Sequence, residues 1–174
     1  SRRADPGGDL TSKLVQAEVD GHRLTDEEII GVVGLLLIAG HITTTATLGN
    51  SVVSFQDNPD PAVEVRADPT LLPAAIEEVL RFSSPVQMDP RRATADTQLC
   101  GEKLRQGEIA LCWLGSANRD ASVFREPDRF DVGRKENRHL AFGFGTHYCL
   151  GSNLARLEAQ IALRALLERT KSFK

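Results

Sequence analysis

The sequence has little of several features that would assign a protein to a class at once. Its 174 residues include three cysteines, one tryptophan, one tyrosine and one methionine, and the formal net charge is −3. Three widely spaced cysteines, Cys100, Cys112 and Cys149, form no complete disulfide framework and are typical of a reducing compartment. So small a net charge gives no electrostatic argument for binding nucleic acid. We therefore predict a cytoplasmic protein that does not bind nucleic acid.

Long uninterrupted apolar runs are also missing. The longest, Ile29 to Ala39, is interrupted by glycines and looks too short to span a bilayer, and no secretory signal is recognisable at the N-terminus. We expect no membrane association. A hydrophobic content of 41% in 174 residues allows one domain with a moderate core, or part of a larger domain.

Helix signals account for most of the chain. Thr25 and Glu28 form a capping box, and the helix that they begin is predicted to run to about residue 57, before Asn58 and Pro59. Because apolar residues lie on nearly all of its sides, we expect this long helix to be buried. The other predicted elements are short helices at 10–19, 62–67 and 111–118, strands and hairpins within 86–109, a helix at about 70–82, and a final helix at about 150–170 with Leu154, Leu157, Ile161 and Ala165 as its apolar stripe.

The segment Phe142–Gly151 (FGFGTHYCLG) carries the strongest chemical signal. It places Cys149 on a glycine-containing loop just before the final helix. The positive end of a helix lowers the pKa of a thiol, and a thiolate is the form that binds metals. The pattern favours a thiolate ligand over a structural thiol. A zinc site formed by His139, His147 and Cys149 is an alternative, although its ligands lack the usual Cys-x-x-Cys pair.

Two further patterns stand apart from the cysteine loop. Glu78 and Arg81 lie three residues apart on one predicted helix and so share a face. Ala39 and Gly40 interrupt the long helix just before a run of threonines, where small side chains would let a flat group approach. Taken singly, an exposed ion pair and ordinary helix packing would explain these two patterns.

Together the three patterns resemble the cytochrome P450 family, and in particular its soluble bacterial members. The family's signatures are Ala-Gly-x-acid-Thr-Thr, Glu-x-x-Arg and Phe-x-x-Gly-x-x-x-Cys-x-Gly. The resemblance implies a mainly α, P450-like helical domain with small β hairpins, incomplete at both ends of this chain, and a haem cofactor with Cys149 as the iron ligand. Residues 1–174 would then be a single partial haem-binding domain.

The resemblance also assigns roles to individual residues. It implies that Thr43 and Thr44 are catalytic and assist proton delivery, and that Glu78 and Arg81 form a structural clamp with Arg129. The substrate would contact Val86, Gln87 and Met88. The implied haem-binding residues, with Arg91, His139 and His147 on the propionates, are Ala39, Gly40, Arg91, His139, Phe142, Gly143, His147, Cys149 and Gly151.

One residue departs from the family pattern. Ile42 stands where the acidic residue before the threonine is expected, and isoleucine can neither relay a proton nor order water. Proton delivery must then use Thr43 alone, another side chain or the substrate. The departure keeps two alternatives open, namely a haem-binding scaffold or interaction module without oxygenase activity, and a peroxygenase that takes peroxide directly.

The expected activity is that of a monooxygenase acting on a small organic substrate. Such an enzyme needs electrons, and the chain contains no flavin or iron–sulfur motif, so we expect an external ferredoxin or flavodoxin-type donor. Basic residues near the cysteine would form its docking surface. They are Arg119, Arg125, Arg129, Arg134, Lys135, Arg138 and Arg156.

Overall fold

The structure, a computed structural model, describes residues 2–172 and divides into two compact units at Ile42 and Thr43. The first unit contains helix α1 (Leu10–Gln16), the hairpin of strands β1 (Glu18–Val19) and β2 (His22–Arg23), and the N-terminal part of helix α2 (Asp26–Asp57). The predicted first helix is therefore shorter than expected. It ends at Gln16 because residues 18–23 form the hairpin, whose turn places Asp20 and Gly21 at positive φ.

The capping box is formed as predicted. The Thr25 backbone N–H donates to the Glu28 carboxylate at 2.8 Å, and the Glu28 N–H donates back to the Thr25 hydroxyl at 3.2 Å. Together these two bonds satisfy backbone donors that the first turn of a helix leaves unpaired. They begin α2 one residue after Thr25, and the helix continues to Asp57, as the sequence indicated.

The expected burial of α2 is wrong for its N-terminal half. Leu35, Leu37 and Ile42 are each more than 60% exposed, whereas Phe55, near the C-terminal end, is 1% exposed. Among the described residues α2 is also the one helix long and apolar enough to cross a membrane, a property shared by core helices of soluble proteins. The expectation that the apolar stretch is too short for a span was wrong, because its glycines do not interrupt the helix.

The second unit contains the remaining elements. They include helices α3 (Pro59–Ala67), α4 (Leu72–Phe82), α5 (Leu114–Ala117) and α6 (Ser152–Arg169). Two antiparallel strand pairs lie between α4 and α5. Strand β3 (Asp89–Arg92) pairs with β6 (Ile109–Cys112), and β4 (Thr97–Leu99) pairs with β5 (Glu102–Leu104). The helix predicted at 111–118 is thus only Leu114–Ala117, because its first residues extend β6. A mainly α fold with small β hairpins is confirmed.

Helix α4 lies at the centre of this unit's core. Ala75, Ile76 and Val79 are at most 1% exposed, and they belong to a cluster that also includes Phe55 and Phe130, whose rings meet edge to face at 5.9 Å. Burial on this scale is the main stabilising term of a small domain. The core fixes the position of α4, and two residues of this helix, Glu77 and Glu78, contact the segments around the candidate site.

Helix α6 packs through the face opposite to the predicted stripe. Ala159 and Leu163 are 1% exposed, whereas Leu154, Leu157 and Ile161 are 60%, 53% and 63% exposed. Both faces are apolar, so periodicity alone could not decide which one meets the core. The helix consequently presents an apolar stripe to solvent immediately after the cysteine loop.

Candidate haem-binding site

The cysteine loop is held by backbone geometry that two of its glycines make possible. Gly143 and Gly145 have φ values of +73° and +71°, in the left-handed region that other residues rarely adopt. The Cys149 N–H donates to the Phe142 carbonyl at 2.8 Å, which closes the loop around the 3₁₀ turn Gly145–His147. Gly151 has an ordinary φ of −86°, so its role differs from that of the other two.

Cys149 lies immediately before α6. Its carbonyl accepts the Ser152 N–H at 3.3 Å, its thiol is half-buried, and it forms no disulfide within the described chain. The residue at the helix cap is Gly151, which has no side chain to satisfy the first backbone donors of α6. The sulfur of Cys149 therefore lies next to the N-terminal end of α6.

The zinc alternative lacks a ligand set. Within residues 2–172 no group of three or more His, Cys, Asp or Glu side chains is arranged to hold a metal ion. His139 is engaged elsewhere. Its Nδ1 accepts the Ala141 N–H at 3.2 Å, and its Nε2 lies 3.0 Å from a Glu77 oxygen. His139 is thus not free to complete a zinc site with His147 and Cys149.

The clamp formed by Glu78 and Arg81 is fully buried, with both side chains 0% exposed. Arg81 donates two bonds of 2.8 Å to the Glu78 carboxylate. Its remaining donors reach the carbonyls of Asn118, Pro127 and Arg129 at 2.7–3.1 Å. One guanidinium therefore fixes three points of the loop between α5 and the cysteine, which is far more than an exposed pair would achieve.

The third member of the clamp is Arg134, and the assignment of this role to the Arg129 side chain is wrong. The Arg134 Nε lies 3.1 Å and 3.3 Å from the two Glu78 oxygens, and its side chain is 9% exposed. Arg129 contributes only its carbonyl, while its side chain is 64% exposed and pairs with Glu126 at 3.5 Å. The loop turns the Arg129 side chain outward because the neighbouring Phe130 fills the core.

A second carboxylate on α4, the half-buried Glu77, was missed by the sequence analysis. It accepts two bonds from Arg156, at 2.7 Å and 2.9 Å, and contacts His139. Burial raises the pKa of Glu77, but the hydrogen bonds from His139 and Arg156, with the charge of Arg156, outweigh it and hold that pKa at about 2. The sequence signal was two successive glutamates in a helix that is largely apolar.

The predicted propionate ligands do not share one environment. Arg91 is exposed on β3 and pairs with Asp89 at 2.6 Å, and His147 is exposed at the end of the 3₁₀ turn. Both of these side chains are accessible to a carboxylate. His139 is 3% exposed with both ring nitrogens occupied, so its assignment to a propionate is wrong.

The predicted catalytic threonines lie at the start of the second unit. The Thr44 hydroxyl donates to the Glu158 carboxylate of α6 at 3.1 Å, and the Thr43 carbonyl accepts the Thr47 hydroxyl at 2.8 Å. A carboxylate thus contacts Thr44 although residue 42 is isoleucine. Ala39 and Gly40 belong to the first unit, where both are exposed, and their part in haem binding stays a prediction.

The segment predicted to contact substrate connects α4 to β3. Val86 is half-buried, whereas Gln87 and Met88 are exposed. The Gln87 carbonyl accepts the Gly115 N–H at 3.0 Å, and a Cβ at residue 115 would lie 2.1 Å from the Gln87 side-chain oxygen. Close backbone contact therefore fixes the segment at Gln87 while leaving Met88 accessible.

The donor chemistry of this chain fits a haem. Cys149 provides one soft sulfur donor on a hydrogen-bonded loop. The exposed stripe on α6 and Phe144, which is 85% exposed, provide apolar surface near this loop in sequence. Arg91 and His147 are available for carboxylates. The site combines a thiolate loop at a helix N-terminus with a buried Glu–Arg clamp, an arrangement that defines a haem-thiolate class of protein.

Comparison with known proteins agrees with this class. The sequence model of the Cytochrome P450 family matches residues 50–172. The chain is 50% identical over 169 residues to Cytochrome P450 107B1 of Saccharopolyspora erythraea. The aligned region covers 97% of this chain and 42% of that protein. It is 48% identical over 169 residues to a Steroid C26-monooxygenase of Mycobacterium tuberculosis, and this alignment covers 97% of this chain and 45% of that protein.

Solved structures give the same result. The crystal structure of CYP109E1 from Bacillus megaterium in complex with corticosterone aligns with a TM-score of 0.90 at 46% identity, covering 97% of this chain and 45% of that one. The chain belongs to the cytochrome P450 family. It spans less than half the length of these relatives.

Proposed function

We propose that the protein to which this chain belongs is a haem-thiolate monooxygenase acting on a small organic molecule. The observation that carries the proposal is the closed loop of Cys149 at the start of α6. When bound, haem supplies oxygen activation, in which one atom of dioxygen enters the substrate and the other leaves as water with two electrons and two protons.

The chain's own residues support this chemistry in separate ways. Cys149 would hold the iron, Phe142 and Gly143 shape its loop, and Arg91 and His147 would bind the propionates. Thr43 and Thr44 would move protons. The Glu158 carboxylate, which accepts a hydrogen bond from the Thr44 hydroxyl, would be their acidic partner. Val86, Gln87 and Met88 would contact the substrate.

The test is the absorption spectrum of the haem-loaded, full-length protein after reduction and addition of carbon monoxide. We expect the strongly red-shifted Soret band of thiolate ligation. Cys149→Ser should abolish this band, while Cys112→Ser, which changes an exposed cysteine, should leave it unchanged. A red-shifted band that survives Cys149→Ser would overturn the assignment of the ligand.

Ile42 favours one second candidate, a peroxygenase. Without an acid at this position, peroxide would bypass the proton delivery that dioxygen requires. Product formation with peroxide alone, compared with formation in the presence of reductase and ferredoxin, separates the two activities. Turnover only with peroxide would establish the peroxygenase.

The electron donor is proposed to be an acidic ferredoxin or flavodoxin-type protein in the cytoplasm. The structure narrows the basic docking surface, because Arg134 belongs to the clamp, Arg156 bonds Glu77, and Arg119 stacks on Phe82 with its guanidinium 3.7 Å from the ring centroid. We propose that the remaining exposed cations form the docking surface. They are Arg125, Arg129, Lys135 and Arg138.

A further inference from the structure

Glu77 lies where α4, α6 and the segment leading into the cysteine loop meet. From α6 it receives the Arg156 guanidinium, and from the loop segment it contacts His139. The His139 side chain is 3% exposed and those of Glu77 and Arg156 are 29% and 28% exposed. These three side chains are distinct from the clamp of Glu78, whose bonds go to residues 81 and 131–137.

Two hydrogen bonds fix the orientation of the His139 ring. Its Nδ1 accepts the Ala141 N–H, so the ring proton lies on Nε2 and is donated to the Glu77 carboxylate. The imidazole thereby links α4 to the backbone of residue 141. Leu140 is tied in the same stretch, because its N–H donates to the Asn118 side chain at 2.7 Å. The entrance to the cysteine loop is thus fixed at successive residues.

Arg156 links Glu77 to the loop itself. Its guanidinium lies 4.4 Å from the centroid of the Phe142 ring, and the Phe142 and Tyr148 rings are 6.3 Å apart. Phe142 is also the residue whose carbonyl accepts the Cys149 N–H. The ion pair raises the pKa of Arg156, chiefly through its bond to Glu77, so the guanidinium stays charged. Glu77 is therefore connected to the cysteine loop in two ways, through His139, which precedes the loop, and through Arg156, which stacks on Phe142.

We propose that Glu77 is the positioning residue of the thiolate ligand, acting through His139 and Arg156 to fix the loop that carries Cys149. That Cys149 is an iron ligand rests on the proposed function, whereas the effect of Glu77 on the geometry of the loop does not. A carboxylate suits this role because it accepts the paired donors of Arg156 and the His139 proton together, which an amide cannot do.

The experiment compares wild-type protein with Glu77→Gln in two measurements. In the haem-free, full-length protein, amide hydrogen exchange at Gly143 and Cys149, whose N–H groups are both hydrogen-bonded, should become about tenfold faster. In the haem-loaded protein, haem loss should be about 10- to 100-fold faster, and part of the reduced carbon monoxide spectrum should shift from the thiolate band to that of a neutral thiol. Unchanged exchange and an unchanged spectrum would overturn the proposal.

Two controls keep the test decisive. Glu168→Gln changes an exposed carboxylate on α6 and should alter none of these measurements. If Glu77→Gln fails to fold, Arg156→Lys keeps the charge but loses the paired bonds, and it should show the same changes in smaller measure. If wild-type protein lacks the thiolate band while Glu77→Gln still accelerates exchange, the proposed function fails and the positioning of the loop stands.

Discussion

Arg134 and Arg129 provide the sharpest test of the clamp, because they lie in one loop and differ in where the structure places them. Arg134 contacts a Glu78 carboxylate that is fully buried, and is itself 9% exposed. Losing one partner of a buried ion pair costs about 3–5 kcal/mol. Arg81 continues to pair with Glu78, so we predict that Arg134→Leu lowers the free energy of unfolding by about 2–4 kcal/mol.

Arg129→Leu is the matched control. It removes the same charge from the same loop, but from a side chain that is 64% exposed and 3.5 Å from Glu126. Exposed pairs of this kind contribute about 0–1 kcal/mol, so the free energy of unfolding should change by less than about 1 kcal/mol. The Arg129 carbonyl, which accepts from Arg81, is retained in this variant.

The measurement is urea unfolding of the haem-free, full-length protein, followed by circular dichroism, with both variants at the same pH and salt concentration. Comparing midpoints at an unchanged slope isolates the change in stability. If Arg129→Leu is as destabilising as Arg134→Leu, or more so, Arg134 is not the third member of the clamp. The assignment of that role to Arg129, made from the sequence motif, would then be correct.

Three further predictions concern other parts of the site. Ile42→Glu should raise the product formed per dioxygen consumed by roughly severalfold, because it restores an acid beside Thr43, and equal or lower coupling would contradict this. Arg125→Glu should slow reduction by an acidic ferredoxin most strongly at low salt, whereas Lys171→Glu should not, and equal rates would exclude docking at Arg125. The pKa of Glu77 is lowered from 4.5 to about 2, so the ionised carboxylate adds at most about 3 kcal/mol to the free energy of unfolding above pH 4.5. This contribution is lost as the pH falls from 4.5 towards 2. Urea unfolding of Glu77→Gln at pH 3–7 should therefore show a smaller loss of stability in acid than wild-type protein does.

Local signals were predicted well from the sequence because they depend on neighbouring residues. The capping box of Thr25 and Glu28 and the pair of Glu78 and Arg81 are spaced three residues apart, so the helix alone brings their partners together. The position of Cys149, on a glycine-containing loop just before α6, was predicted for a similar reason, since the glycines and the following helix are encoded in one short segment.

Features that depend on distant residues were not predictable in this way. The choice between Arg129 and Arg134 is made in an irregular loop without periodicity, where only the position of Glu78 in space selects one guanidinium. The exposure of Leu35 and Leu37 likewise depends on what covers α2, which a hydrophobic pattern does not reveal. Burial is a property of the assembled structure, whereas a cap is a property of the segment.

Glu77 and Glu78 show how one helix can support a loop from two sides. Successive residues of an α-helix point about 100° apart, so two adjacent carboxylates on α4 necessarily face different neighbours. Glu78 meets Arg81 and Arg134 on the side of the irregular loop, and Glu77 meets Arg156 on the side of α6. The two ion-pair systems share no arginine, so Arg134→Leu should lower stability with little effect on the Soret band of the protein that retains haem. Glu77→Gln should change that band, and equal spectral effects of both variants would show that the clamp and the cysteine loop act as one unit.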